Sequence, residues 1–174
     1  MAIIKKGLLP YFQFEGIEAG LDEAGRGCLA GPVVAAAVIL PKDFHDKLLT
    51  DSKQLNARQR QQLLHVIKSY AIEYAISEVD HETIDRINIY KASVMAMHQA
   101  VDQLKTRPDH LLVDGNRFIS YPFVQHTCIV KGDSKYFSIA AASILAKTYR
   151  DELMEKAAQE HPGYGWERNA GYPT

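Results

Sequence analysis

Short apolar runs and helix-like periodicities alternate along the chain. Residues 16–21 form a short, mostly apolar run bounded by glycines, and residues 33–40 form a continuous apolar run rich in β-branched residues. Both runs have the length and composition of buried strands. Two acids, Asp22 and Glu23, follow the first run directly. Because successive strand residues point to opposite faces, one acid is expected to point inward and the other to lie at the rim.

Capping residues mark the starts of three helices. Asn56, with Gln59 three residues later, predicts a helix that begins after it, while Asp80 and Asn88 predict a short helix and a longer one. The longer helix is expected to end near Pro108, which cannot continue it. The apolar stripe of the first helix consists of Leu63, Leu64, Ile67 and Tyr70, and that of the longer helix consists of Ile89, Ala92, Ala96 and Ala100.

Four further segments complete the pattern. Residues 71–79 alternate as a strand does, residues 110–113 are a short buried run, and residues 123–130 predict another strand. Residues 136–159 are rich in alanine and predict a long helix, on which Ser143, Lys147 and Arg150 share one face. The glycine-rich and aromatic end is expected to be irregular. Strands that alternate with helices predict an α/β domain.

Four acids lie where a predicted strand gives way to a loop or helix: Asp22, Glu23, Asp114 and Asp133. Each alone is more typical of a turn or a cap, but together they favour a carboxylate cluster beyond the strand ends of an open sheet. Such a cluster repels itself unless cations neutralise it. Mg²⁺ and Mn²⁺ prefer oxygen ligands, and two such ions roughly 3.5–4 Å apart can activate water and stabilise a leaving oxygen. The pattern therefore indicates metal-assisted phosphodiester hydrolysis.

A glycine-containing turn follows the first acidic pair. Gly25 and Gly27 allow backbone N–H groups to approach a ligand closely, and Arg26 between them adds a planar charged group. Hydrogen-bond donors that bind phosphate lie here beside carboxylates, which would repel a phosphate. This arrangement is explained if a divalent cation lies between the acids and the phosphate.

Composition narrows the class of protein but not its partner. The chain has 174 residues, enough for one domain with a buried core, and its net charge of −1 shows no general basic surplus. A local basic groove would still suffice for nucleic acid. Cys28 and Cys128 lack zinc-site spacing and are expected to be small buried thiols of a reducing compartment. The N-terminal stretch suits neither a signal peptide nor a membrane span, so a cytoplasmic protein without membrane attachment is expected.

Five motifs, in order along the chain, resemble those of bacterial ribonuclease HII, the type 2 ribonuclease H. They are DEAGRG at 22–27, DSK at 51–53, VDG at 113–115, KGDS at 131–134 with SIAAAS at 138–143, and GYPT at 171–174. The resemblance extends from about residue 15 to the last residue. It implies a ribonuclease H-like α/β fold, with a mixed central β-sheet flanked by helices.

The resemblance also implies an activity and the residues that perform it. Members of the family cleave the RNA strand of RNA–DNA hybrids and nick DNA duplexes 5′ to a single embedded ribonucleotide. By this resemblance the carboxylates that hold two Mg²⁺ or Mn²⁺ ions during catalysis would be Asp22, Glu23, Asp114 and Asp133. The implied substrate contacts are Gly25, Arg26 and Gly27 at the ribose 2′-hydroxyl, Lys53 at a phosphate, and Tyr172 on the next sugar, with Lys147 and Arg150 as further candidates for phosphate contact.

The resemblance also bears on the domain extent, the oligomeric state and the alternative functions. Family members usually continue past the GYPT motif into a helical segment, so residues 1–174 are expected to be a single catalytic domain without that segment, with Tyr172 loosely held. A monomer is expected, and a replication or repair partner is not visible in the sequence. Two alternatives are a non-catalytic hybrid-binding module and a two-metal nuclease or phosphatase of other specificity, including ribonuclease HIII. The four acids disfavour the first alternative, and the Gly-Arg-Gly turn with Tyr172 disfavours the second.

Overall fold

Five strands pair into one sheet with β1 at its centre. The computed structural model describes residues 7–49 and 55–173. The strands are β1 (Glu18–Ala24), β2 (Val33–Ile39), β3 (Glu73–Val79), β4 (His110–Asp114) and β5 (Gln125–Ile129). Their order across the sheet is β3-β2-β1-β4-β5. Strand β2 runs antiparallel to β1 and β3, whereas β4 runs parallel to β1 and β5, so the sheet is mixed.

Helices cover both faces of this sheet. They are α1 (Ala57–Tyr70), α2 (His81–Ile87), α3 (Ile89–Asp102), α4 (Phe137–Glu160) and α5 (Trp166–Asn169). One apolar core joins α3 to one face, and a second core joins α1 and α4 to the other face. The predicted α/β architecture, a mixed central sheet flanked by helices, is confirmed. Within the two described ranges, no helix is long and apolar enough to cross a membrane.

The helices begin at the predicted caps. The Asn56 side chain accepts the N–H of Gln59 at 2.9 Å, and the Gln59 side chain accepts the N–H of Asn56 in return. Asp80 and Asn88 accept in the same way from the third residue of α2 and of α3. Each cap satisfies a backbone donor that the first helical turn would otherwise leave without a partner.

The first predicted strand extends further than expected. Asp22 and Glu23 do not follow it but belong to it, because they pair with Ala36 and Ala35 of β2 and the antiparallel ladder continues to Ala24. The two acids are therefore held by strand geometry rather than by a turn.

The longer predicted helix, α3, ends sooner than expected. It stops at Asp102 instead of near Pro108. The Glu73 carboxylate accepts the backbone N–H groups of Lys105 and Thr106, and these hydrogen bonds hold the segment outside the helix. The last predicted strand, over residues 123–130, is likewise shorter and spans only β5.

Several predicted exposures also differ. Tyr70 lies on the predicted apolar stripe of α1, but it is the last helical residue, remains largely exposed and packs its ring only edge-on against Phe44. Cys28 and Cys128 are partly exposed rather than buried.

The end of the chain, expected to be irregular, contains the single-turn helix α5.

Helix α4 lies directly on the central strands because both surfaces carry small residues. Ala140, Ala141 and Ala142 of the helix belong to the same core as Ala36 of β2. On β1, a Cβ at Gly20 would lie 2.3 Å from the backbone carbon of Ser138. Only glycine permits this approach, so Gly20 determines how closely the helix packs on the strand.

We expect Gly20→Ala to lower the free energy of unfolding by at least about 2 kcal/mol, since the added methyl group meets helix backbone rather than a movable side chain. Denaturant unfolding of the variant and the wild type measures the loss. Gly7→Ala is the matched control, because a Cβ there meets nothing within 4 Å. This control should change the free energy by less than about 0.5 kcal/mol. A wild-type midpoint and slope for Gly20→Ala would contradict the close packing.

Candidate active site

Two parallel neighbouring strands place Asp22 and Asp114 side by side. In the register of β1 and β4, Leu21 lies opposite Val113, and each acid is the next residue along its strand. Both acids therefore lie at the carboxyl edge of the sheet, where open α/β folds gather their ligands.

Asp22 is buried, with 6% of its surface exposed. Its side chain accepts the N–H of Glu23 at 2.7 Å and is also hydrogen-bonded to Ser143 of α4. Burial, together with the negative charges of Glu23 and Asp114, raises the pKa of Asp22 well above its ordinary value, and the two hydrogen bonds only partly oppose this rise. The site therefore contains more negative charge than it can easily keep ionised.

Glu23 is the rim member of the first acidic pair. It is more exposed than Asp22, as the alternation of a strand predicts. Its Oε1 accepts a hydrogen bond from Arg26 Nη1 at 3.1 Å. About half of the Arg26 side chain (51%) is exposed, so its guanidinium group remains accessible to a ligand.

Asp114 ends β4 and is tied to the turn that follows β5. Its Oδ1 accepts the N–H of Gly132 at 2.7 Å. A Cβ at Gly132 would lie 2.6 Å from the Ile139 side chain, so α4 packs closely against this turn. Asp133, the next residue, is buried on a single 3₁₀ turn (Gly132–Ser134).

A cavity of about 250 Å³ gathers most of the predicted site residues. Its lining consists of Asp22, Glu23, Ala24, Gly25, Arg26, Gly27, Asp114, Ser143, Lys147 and Tyr172. Three of the four predicted carboxylates therefore share one cavity with the glycine turn (residues 25–27) and the predicted tyrosine. Asp133 is not part of this lining, and Lys53 lies outside the described residues.

Tyr172 is docked in the site rather than loosely held. Its Cε1 would lie 3.8 Å from a Cβ at Gly27, and the Lys147 ammonium nitrogen lies 5.3 Å from the centre of its ring. Burial, and then the neighbouring Cys28 thiol, raise the pKa of the Tyr172 hydroxyl. The residue is still 41% exposed, so one part of it can meet a ligand while another part packs.

The two basic candidates on α4 have different surroundings. Lys147 lines the cavity, and its Nζ lies 2.7 Å from Asp151 Oδ1. Arg150 is fully buried, and its guanidinium group donates to three backbone carbonyl oxygens. The prediction that Arg150 contacts a phosphate is therefore wrong. Ser143 lines the cavity, although the sequence predicted no role for it. The sequence signal for Ser143 is its helical spacing from Lys147, which puts both residues on one face of α4.

The donors of the cavity suit a hard divalent cation. Asp22, Glu23 and Asp114 offer carboxylate oxygens, and the raised pKa of Asp22 reflects the like charge that a cation would neutralise. Among residues 7–49 and 55–173, however, no three Asp, Glu, His or Cys side chains are gathered closely enough to hold an ion. The chemistry of these carboxylate oxygens fits Mg²⁺ or Mn²⁺.

A family model and a curated relative point to the same family. The family model described as ribonuclease HII matches residues 19–174. The ribonuclease HII of Bacteroides fragilis is 64% identical over 167 residues, which cover 96% of this chain and 83% of that protein. These matches agree with the family that the five motifs resemble.

Solved structures share the fold. The ribonuclease H2 from Pyrococcus horikoshii OT3 superposes with a TM-score of 0.77 at 28% identity, over 91% of this chain and 81% of that one. Bst ribonuclease HIII in complex with Mn²⁺ superposes with a TM-score of 0.67 at 23% identity, over 88% and 56%, and shows the fold alone. The predicted ribonuclease H-like fold is confirmed. The chain therefore belongs to the ribonuclease HII family and is a ribonuclease H enzyme, an endoribonuclease that acts on RNA–DNA hybrids.

Proposed function

We propose that this enzyme also nicks duplex DNA on the 5′ side of a single embedded ribonucleotide, by hydrolysis that uses Mg²⁺ or Mn²⁺. The observation that carries the proposal is the single cavity that joins three carboxylates to the glycine turn and Tyr172. Groups able to hold a cation thereby lie beside groups able to recognise a ribose. A module that only bound hybrids would not need to bury an acid such as Asp22 next to two others.

The carboxylates would hold the cations. Asp22, Glu23 and Asp114 would do so from the cavity wall, and Asp133 would join them from the turn after β5. When bound, two divalent ions supply activation of the attacking water and stabilisation of the leaving oxygen. Ser143 and the N–H of Glu23 hold the Asp22 carboxylate in its orientation.

The glycine turn and Tyr172 would select the substrate. The turn would present its backbone groups and Arg26 to the 2′-hydroxyl, which distinguishes RNA from DNA at a given position. Tyr172 packs against Gly27, so its ring would meet the next sugar along the strand. Lys53 would contact a phosphate. The enzyme would act as a monomer in the bacterial cytoplasm, where its duplex substrates are found.

Replacing one acid should abolish the chemistry without unfolding the protein. Asp114→Asn is expected to lower turnover by at least about two orders of magnitude, since an amide keeps the shape but lacks the charge that a cation needs. Its oxygen can still accept the N–H of Gly132, and one of the charges that raise the pKa of Asp22 is removed. Thermal unfolding should therefore show no loss of stability. Wild-type turnover by the folded variant would exclude Asp114 from the reaction.

The acidic cluster should respond to both pH and metal. Because the folded protein holds the Asp22 proton to a higher pH than the unfolded chain does, the free energy of unfolding in EDTA should fall as pH rises from about 3.9 to the raised pKa. Asp22→Asn should lack this part of the decline and be more stable than the wild type at neutral pH. Denaturant unfolding across pH values measures both effects.

Mg²⁺ or Mn²⁺ should raise the melting temperature of the wild type at neutral pH, because the ions bind only the assembled acids. The gain should shrink in Asp22→Asn and Glu23→Gln. Asp85→Asn, which changes an exposed acid on α2, serves as the control and should keep the full gain. Equal gains in all four proteins would place the ion elsewhere.

Cleavage should depend on a single 2′-hydroxyl. A DNA duplex with one ribonucleotide should be nicked on the 5′ side of that nucleotide, whereas the all-DNA duplex and the 2′-fluoro duplex should survive, since fluorine cannot donate a hydrogen bond. Tyr172→Ala should weaken nicking at the junction more than cleavage of a long hybrid, by up to the roughly 1–3 kcal/mol that aromatic stacking contributes in nucleic-acid grooves. Gel analysis of end-labelled strands resolves the products. Equal cutting of the all-DNA duplex would refute the proposed specificity.

A further inference from the structure

Arg150 is a buried charge whose hydrogen bonds go to backbone rather than to solvent. It is 0% exposed, and it lies on α4 two turns beyond Ser143. Its Nε donates to the carbonyl of Pro32 at 2.9 Å, its Nη2 to that of Ala30 at 2.8 Å, and its Nη1 to that of Ala170 at 2.7 Å. A buried guanidinium is tolerated only where its donors are satisfied, so these three bonds fix the positions of the groups that accept them.

The three acceptors belong to two segments that are far apart in sequence. Ala30 and Pro32 lie in the β1–β2 loop (residues 25–32), which begins with the glycine turn. Ala170 lies in the tail segment (residues 170–173), which carries Tyr172. The N–H of Leu29 also donates to the carbonyl of Gly171 at 2.9 Å, so the loop and the tail touch directly where Arg150 bridges them.

The loop is shaped around the arginine. A Cβ at Gly25 would lie 2.4 Å from Arg150 Nε, and one at Gly31 would lie 3.3 Å from Arg150 Nη2. The guanidinium carbon also lies 5.8 Å from the centre of the Tyr172 ring. The side chain therefore occupies the space between the first glycine of the turn and the aromatic ring.

We propose that Arg150 is a positioning residue, which fixes Tyr172 against the glycine turn. It thereby keeps the spacing between the two groups that would recognise the ribonucleotide, the glycine turn and the Tyr172 ring. This inference rests on the proposed function, in which the turn reads the 2′-hydroxyl and Tyr172 meets the following sugar. Arg150 itself does not touch the substrate. A lysine cannot replace it, because a single ammonium group cannot reach three carbonyls that a planar guanidinium fork spans.

The test is a double-mutant cycle read as junction preference, the ratio of kcat/KM for a duplex with one ribonucleotide to kcat/KM for a uniform RNA–DNA hybrid. Arg150→Met should lower this ratio by about tenfold and Arg150→Lys by somewhat less, while kcat on the hybrid stays within about threefold of the wild type. In a Tyr172→Ala background, Arg150→Met should change the ratio by less than about twofold, because the residue through which it acts is gone.

Leu63→Ala is the matched control for lost stability, since Leu63 is buried in the core that α1 and α4 share and is not part of the cavity lining. It should lower the melting temperature and leave the ratio unchanged. If Arg150→Met does not fold, Arg150→Lys carries the test together with Gly171→Ala, which puts a Cβ 2.6 Å from the Ala30 oxygen in the same joint.

Two results would overturn the inference while the proposed function stands. One is a wild-type junction preference in the folded Arg150 variants, and the other is a loss of equal size with and without Tyr172. A wild-type enzyme that fails to nick the duplex with one ribonucleotide would instead refute the proposed function, and the inference with it.

Discussion

The distance between α4 and β1 is the constraint on which the site depends. Gly20 leaves no side chain between the strand and the helix backbone, and three consecutive alanines of α4 (residues 140–142) share a core with Ala36 of β2. The same helix places Ser143 beside Asp22 and Arg150 beside the β1–β2 loop. Because a packed interior transmits displacement rather than absorbing it, a helix raised from the sheet would disturb both contacts at once.

The site itself works against stability, and the cores on the two faces of the sheet offset that cost. Burying Asp22 beside Glu23 and Asp114 disfavours its ionised form, as its raised pKa shows. Arg150 is different, because three hydrogen bonds to backbone carbonyls satisfy its guanidinium group, and hydrogen bonds from a charged donor contribute about 1.5–3 kcal/mol each. Arg150 thus ties the β1–β2 loop to the tail segment, whereas the negative charges of Glu23 and Asp114 act against the ionised form of Asp22.

The features that the sequence predicted correctly are local ones. The caps at Asn56, Asp80 and Asn88 depend on residues three positions away, and the strands depend on short apolar runs. The hydrogen bonds of Arg150 could not be predicted in this way, because one of its acceptors, Pro32, lies 118 residues away in the sequence. Its helical spacing from Lys147 puts both on one face of α4, yet only Lys147 lines the cavity. The β1–β2 loop and the tail segment fold over α4 and cover Arg150, whereas Lys147 remains at the cavity.

The four predicted acids differ in what holds them. Sheet register places Asp22, Glu23 and Asp114, whereas Asp133 lies on a 3₁₀ turn outside the cavity lining. The hydrogen bond from the N–H of Gly132 to Asp114 couples that turn to the strand. Asp133 directly follows Gly132 in the chain, so its position depends on the bond that the Asp114 carboxylate accepts. The sheet therefore positions three of the predicted acids directly and the fourth through one hydrogen bond to Asp114.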